Sequence, residues 1–167
     1  MAKGIKRKVV LPGLKLLFSL VLLLLVSCDG TVYHRFAQID GSGWAANDTL
    51  TFVYEGGERI SSGSEMELVV QVRYGAEYEY KDLCVRVESL GTDTALLSVD
   101  TLCCRMYDDR GSRLGSTAGT MYQNESNTVS IPALCTDTVI LKVSHLMGNN
   151  RLQNVYDVGV RLVRGGE

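Results

Sequence analysis

The sequence has few of the residues on which metal and acid–base chemistry usually depend. It carries two histidines, two prolines and one tryptophan in 167 residues, and aromatics make up 7%. With His34 and His145 the only imidazoles and no Cys-x-x-Cys pair, a zinc site lacks both its ligands and their spacing. No His-Glu-x-x-His or Gly-x-Ser-x-Gly is present, so no motif places a hydrolase's nucleophile or base. Asp108-Asp109-Arg110-Gly111-Ser112 lacks the alternating oxygen ligands and closing glutamate of a calcium loop, and reads as a hairpin turn. No apolar run reaches the ~20 residues that a membrane-spanning helix needs. The expectation is a protein that is not an enzyme and holds no metal or cofactor.

The first 27 residues have a different composition. Lys3, Lys6, Arg7, Lys8 and Lys15 stand there without an acidic residue, followed by the apolar run Leu16 to Val26. Eleven helical residues fall well short of a ~30 Å hydrocarbon core, and a basic stretch before a short apolar one is an export signal. Leu25-Val26-Ser27-Cys28 has the form of a lipobox. A small residue at Ser27 fits the signal peptidase, and the Cys28 thiol accepts the diacylglycerol. Each buried acyl methylene is worth ~0.8 kcal/mol, so acyl chains of the palmitate type hold the protein on a membrane without spanning it. The reading is a signal peptide over 1–27, a lipidated N-terminus with a short tether and edge strand over 28–40, and a single domain over 41–167. The tether is short enough for the domain to sit close to the bilayer.

Removing the signal makes the chain acidic. Twelve Lys and Arg remain against 19 Asp and Glu, a formal charge of −7, and no basic run survives. Nucleic acid is therefore excluded as a partner, because its phosphates demand Lys and Arg.

The remaining 140 residues show short alternating runs between turn formers, and no amphipathic helix. Val32, His34 and Phe36 share one side of a first strand. Thr49 to Tyr54 and Met66 to Tyr74 follow, then Leu83, Val85 and Val87, and then Leu102, Cys104 and Met106, with Cys103 on the opposite face. Thr128 to Ile131, the run Val139, Leu141 and Val143, and the run Val158, Val160 and Leu162 complete the series. Seven to nine strands with one apolar face each predict an all-β fold, an antiparallel β-sandwich. An oxidising compartment permits disulfides among Cys84, Cys103, Cys104 and Cys135; adjacent cysteines rarely bridge, which favours Cys84 or Cys135 joined to Cys103 or Cys104.

The whole mature chain resembles the GldH family of gliding-motility-associated lipoproteins. The resemblance runs from the lipoprotein cysteine and Tyr33 through Gly43-Trp44 and Asp48-Thr49-Leu50-Thr51-Phe52. Arg73-Tyr74 and Tyr78-Glu79-Tyr80-Lys81-Asp82-Leu83 carry its most specific part, although the family usually has Pro and Asn where this chain has Glu79 and Asp82. Asp108-Asp109-Arg110-Gly111, Gly115, Gly119 and Tyr156-Asp157-Val158-Gly159-Val160-Arg161-Leu162 complete it. The extra cysteines are outside the family's pattern. The resemblance implies a membrane-attached accessory protein of gliding or the linked secretion machinery, with envelope proteins as partners and no catalytic residue.

Trp44, Arg73, Tyr78 and Tyr80 are of the types that dominate protein-binding hot spots. Either they form an aromatic and cationic surface for a partner, or Trp44 and a tyrosine plug the end of the sandwich while Arg73 pairs with an acid. A solitary module binding glycan or peptide through its aromatic rim is the alternative function. Asp-Thr followed by an apolar residue occurs at Thr49, Thr94, Thr101 and Thr138, and resembles an O-glycosylation acceptor of exported bacterial proteins. The same pair also marks a loop entering a strand. No acidic cluster of the kind that sends such lipoproteins to the cell surface follows Cys28, which favours the outer membrane with the domain facing the periplasm.

Overall fold

A computed structural model describes residues 30–56, 65–132 and 138–165; the signal segment, Cys28 and Cys135 lie outside the described residues. The described chain is all-β. Its strands are β1 (Thr31–Gln38), β2 (Trp44–Ala45), β3 (Leu50–Glu55), β4 (Glu65–Tyr74), β5 (Asp82–Leu90), β6 (Leu96–Arg105), β7 (Ser116–Ala118), β8 (Met121–Glu125), β9 (Val129–Pro132), β10 (Thr138–His145), β11 (Arg151–Leu152) and β12 (Val155–Arg164). The larger sheet runs β1-β12-β4-β8-β7, with β9 also paired to β4; the smaller runs β3-β10-β5-β6; β11 pairs with β2. All of these pairings are antiparallel. The sandwich is the expected one, with more strands than the alternation predicts, because β2, β7 and β11 are too short to show a period.

Alternation decides which residues are inside. From β4 come Met66, Leu68, Val70, Val72 and Tyr74, and from β12 Val158, Val160 and Leu162, all fully buried. They face Leu83, Val85 and Val87 of β5, Leu102 and Cys104 of β6, and Leu141 and Val143 of β10. Each such Val or Leu contributes on the order of 1.5–3 kcal/mol by leaving water. Cys104 lies on the face of Leu102, and burial pushes its thiol pKa up to about 12, which keeps it protonated and unreactive.

Backbone hydrogen bonds define two ends. At one, which we call the near end, Arg164 N–H donates to the Gly30 carbonyl at 3.0 Å and Gly165 N–H to the Glu65 carbonyl at 3.0 Å. Tyr33 meets Tyr54 edge to face at 5.7 Å, bringing the C-terminus of β3 to that same end. Leu90 of β5 and Leu96 of β6 pair there too, since Ile140, two residues into β10, is opposite Leu90. At the far end, Ile39 N–H donates to the Tyr156 carbonyl and Gly75 N–H to the Asn154 carbonyl.

Register also fixes the disulfide. Cys84 and Cys103 are directly opposed on β5 and β6 with Cα atoms 4.1 Å apart, and they are bonded. Both point away from the core, so the bond staples the outer face of the smaller sheet. It closes a 19-residue separation. Replacing both cysteines by alanine is expected to lower the unfolding free energy by about 3 kcal/mol. Urea denaturation of the two proteins measures it, and an unchanged midpoint would contradict it.

Candidate functional site

The segment from Arg73 to Lys81 turns from β4 in the larger sheet to β5 in the smaller and closes the far end. Tyr74 is fully buried, edge to face with Tyr78 at 5.5 Å and tilted against Tyr122 at 5.7 Å. Its hydroxyl finds no hydrogen-bond partner among the described residues, and burial raises its pKa. Tyr78 is also inside; its hydroxyl donates to the Asp82 carbonyl at 3.2 Å and desolvation raises its pKa strongly. The Arg113 guanidinium lies 4.2 Å from the Tyr122 ring centre and donates to the Gly75 and Ala76 carbonyls, which holds the turn down.

Trp44 plugs the opposite corner of the far end. It is fully buried, its indole N–H donates to the Asp48 carbonyl at 3.1 Å, and its ring stands 5.2 Å from His145. Gly43 beside it has φ +94°, and a Cβ there would sit 2.5 Å from the Leu152 carbonyl oxygen, so only glycine admits the β2–β11 pairing. The Gly43-Trp44 pair is thus a structural plug.

Of the two readings of these four residues, the plug is the one that Trp44 and Tyr78 follow, and Arg73 pairs with an acid. Trp44 and Tyr78 offer no surface to a partner, because closing the sandwich consumes both rings. Arg73 and Tyr80 remain accessible, but they do not share a patch. Tyr80 accepts a hydrogen bond from the Asn149 side chain and lines a polar cleft of about 120 Å³ at the far end, with Glu77, Glu79, Arg151, Gln153 and Asn154. Arg151 is held by Ser42 Oγ at 2.7 Å and by the Gly43 carbonyl at 3.0 Å.

Arg73 lies instead on the outer face of the larger sheet. Register sets it opposite Asp157 of β12, and the two form an ion pair at 3.9 Å. Its Nε–H donates to Gln123 Oε1 at 3.0 Å, and its guanidinium covers the Phe36 ring at 3.8 Å. Phe36 in turn lies across Gly159, where a Cβ would be 2.7 Å from the ring. Alongside runs a polar chain: His34 Nε2 and Gln71 Oε1 are 2.6 Å apart, Gln71 Nε2–H donates to Glu125 at 2.7 Å, and Arg161 donates to Glu125 at 3.0 Å. Gln71 is only 3% exposed although it points away from the core. Arg73, Asp157 and Gly159, remote in sequence, thus build one ordered surface. Phe36 and the Gln71–Glu125 link were missed, since nothing in a single strand reveals its cross-strand neighbour.

The remaining candidate residues are scattered. Thr49, Thr94 and Thr101 are exposed and Thr138 is half-buried at the start of β10. Thr94 sits in the β5–β6 hairpin with φ 61°, a conformation costly for a β-branched residue. Asp108 forms a turn, its carboxylate accepting from the Arg110 and Ser112 N–H groups at 2.8 and 2.7 Å. Among the described residues no group of three or more His, Cys, Asp or Glu is placed to hold a metal, and no helix is long and apolar enough to cross a membrane.

The fold and its surfaces define a class: a β-sandwich whose ordered features are cross-strand contacts and a polar cleft. The GldH lipoprotein family model matches residues 31–162, and the chain belongs to that family. Membership in a lipoprotein family makes it a lipid-anchored envelope protein. No curated protein matches the sequence. Among solved structures it is similar to the infectious bursal disease virus VP2 subviral particle, at 13% identity and TM-score 0.36, covering 84% of this chain and 35% of that one. The structure of the Gt strain of that virus matches at 13% identity and TM-score 0.31, over 100% of this chain and 38% of the other. The chain thus spans little more than a third of the length of these chains, and the likeness carries no argument about function.

The far-end plug is expected to respond to acid. Burial holds the His145 pKa below its ordinary value, and neither ring nitrogen has a hydrogen-bond partner among the described residues to favour the charged form. As pH falls below about 6.5 the unfolded chain takes up a proton that the folded one resists, so stability falls. The denaturation midpoint is expected to decrease between neutral pH and the range just below this value, and less so in His145→Phe. Equal slopes for the two proteins would contradict this.

Proposed function

We propose that this protein is a non-enzymatic accessory component of a gliding-motility or associated secretion assembly, held by lipid on Cys28 at the outer membrane and facing the periplasm. The observation that carries the reading is the family match over residues 31–162. The ordered surface around Arg73 supports it, since a guanidinium already fixed over Phe36 and paired with Asp157 loses little side-chain entropy on binding. Tyr80 at the cleft supplies a second contact. Crosslinking in living cells, followed by purification of the tagged protein and mass spectrometry, tests this. Capture of gliding or secretion components is expected, and its loss in the Arg73→Ala/Tyr80→Ala double variant. Capture of nothing beyond an unrelated lipoprotein control would favour the second reading, a solitary module binding glycan or peptide, which the cleft around Tyr80, Asn149 and Arg151 supports.

We also propose that at least one Asp-Thr site carries an O-linked glycan, with Thr49 and Thr94 favoured because both are exposed and outside strands. The native protein is then expected to be heavier than polypeptide plus lipid, with the excess lost in the Thr49→Ala/Thr94→Ala variant. An intact mass equal to polypeptide plus lipid alone would contradict the modification.

A further inference from the structure

The short link between the lipid and the fold selects which end of the sandwich faces the membrane. This inference rests on the lipid-anchor reading of Cys28. Only Asp29 and Gly30 separate that cysteine from Thr31, the first residue of β1. At no more than ~3.6 Å per residue, Thr31 lies within about 11 Å of the anchored cysteine even along an extended chain. The first residues of β1 therefore stay at the headgroups.

The near end has what such a position needs. Arg164 and Glu65 are tied to Gly30 and Gly165 there, so the three strands β1, β12 and β4 reach the same level. The half-buried Tyr33 and Tyr54, which meet edge to face just inside this end, are residues favoured at headgroup depth. Across the end face, the β5–β6 hairpin presents Leu96, which is 60% exposed and the most exposed large apolar side chain among the described residues. Glu55 and Glu65 lie at the same end as Arg164, so these residues give that end no excess of positive charge and its contact with the bilayer is apolar rather than an attraction to anionic lipid.

We infer that the near end of the sandwich faces the lipid surface, with Leu96 entering the interface, and that the cleft around Tyr80 therefore opens away from the membrane. The ten residues of β4 run from one end to the other. At ~3.3 Å per residue they carry the cleft about 30 Å above the headgroups. The partner surface around Arg73 stands upright along the side of the domain, and the cleft at its top is accessible to large ligands.

Full-length lipidated protein in phosphatidylcholine vesicles tests the orientation, with acyl chains either unmodified or brominated to quench nearby indoles. Leu96→Trp places a reporter at the near end and Glu79→Trp one at the far end; native Trp44, buried at the far end, is common to both. Emission from the Leu96→Trp reporter is expected to fall roughly twofold on bromination, as for a side chain at interfacial depth. Glu79→Trp and the unaltered protein are expected to be unaffected. Absence of quenching for Leu96→Trp in protein that floats with the vesicles would overturn the orientation, as would equal quenching of both reporters. A protein that fails to float, behaving as Cys28→Ser does, would overturn the anchor reading and the orientation together.

Discussion

The pairing of β4 with β12 is the constraint on which the rest of the molecule depends. These are two of the longest strands, and their register brings nine residues of one against nine of the other. Their inward faces supply the larger sheet's share of the core. Their outward faces set Arg73 against Asp157 and Gln71 against Gly159. A slip of one residue would turn every one of these side chains to the wrong face, exposing Val160 and Leu162 and burying Arg161 without a partner. Core and surface are therefore specified by the same hydrogen bonds.

This coupling accounts for the motifs shared with the family. Asp157-Val158-Gly159 reads as a strand with an acid and a glycine, but each residue has a separate task. Asp157 neutralises Arg73, Val158 fills the core, and Gly159 leaves room for Phe36. Gly43 serves the far end similarly, letting β11 approach while Trp44 seals the interior.

The alternation of Val, Leu and Ile made the long strands legible in the sequence, together with the inward face of Cys104. Strand β8 was not legible, because Tyr122-Gln123-Asn124-Glu125 has no apolar period; its pairing with β4 gives it structure. The direction of Trp44 was equally hidden, since a lone tryptophan fits a plug or a contact surface until the neighbouring strands are placed. Among cysteines the order of residues narrowed the pairings, and only the β5–β6 register put Cys84 opposite Cys103. The candidate site was the least legible part. Arg73 was visible as a residue, but its surface is built from β1, β8 and β12, and such convergence is a property of topology.

The place of β1 has a mechanical consequence. On the proposed anchor at Cys28 it is the strand nearest the lipid, and it is an edge of the larger sheet, joined along most of its length to β12 alone. With that anchor, a load applied to the body of the domain would be resisted at Cys28 and would travel along the axis of β1. Antiparallel ladder bonds lie perpendicular to the strands, so a pull along the axis strains them all at once instead of parting them one by one. The first strand would thus work as a shear joint between the domain and its tether, loaded in the direction in which its ladder with β12 yields only as a whole.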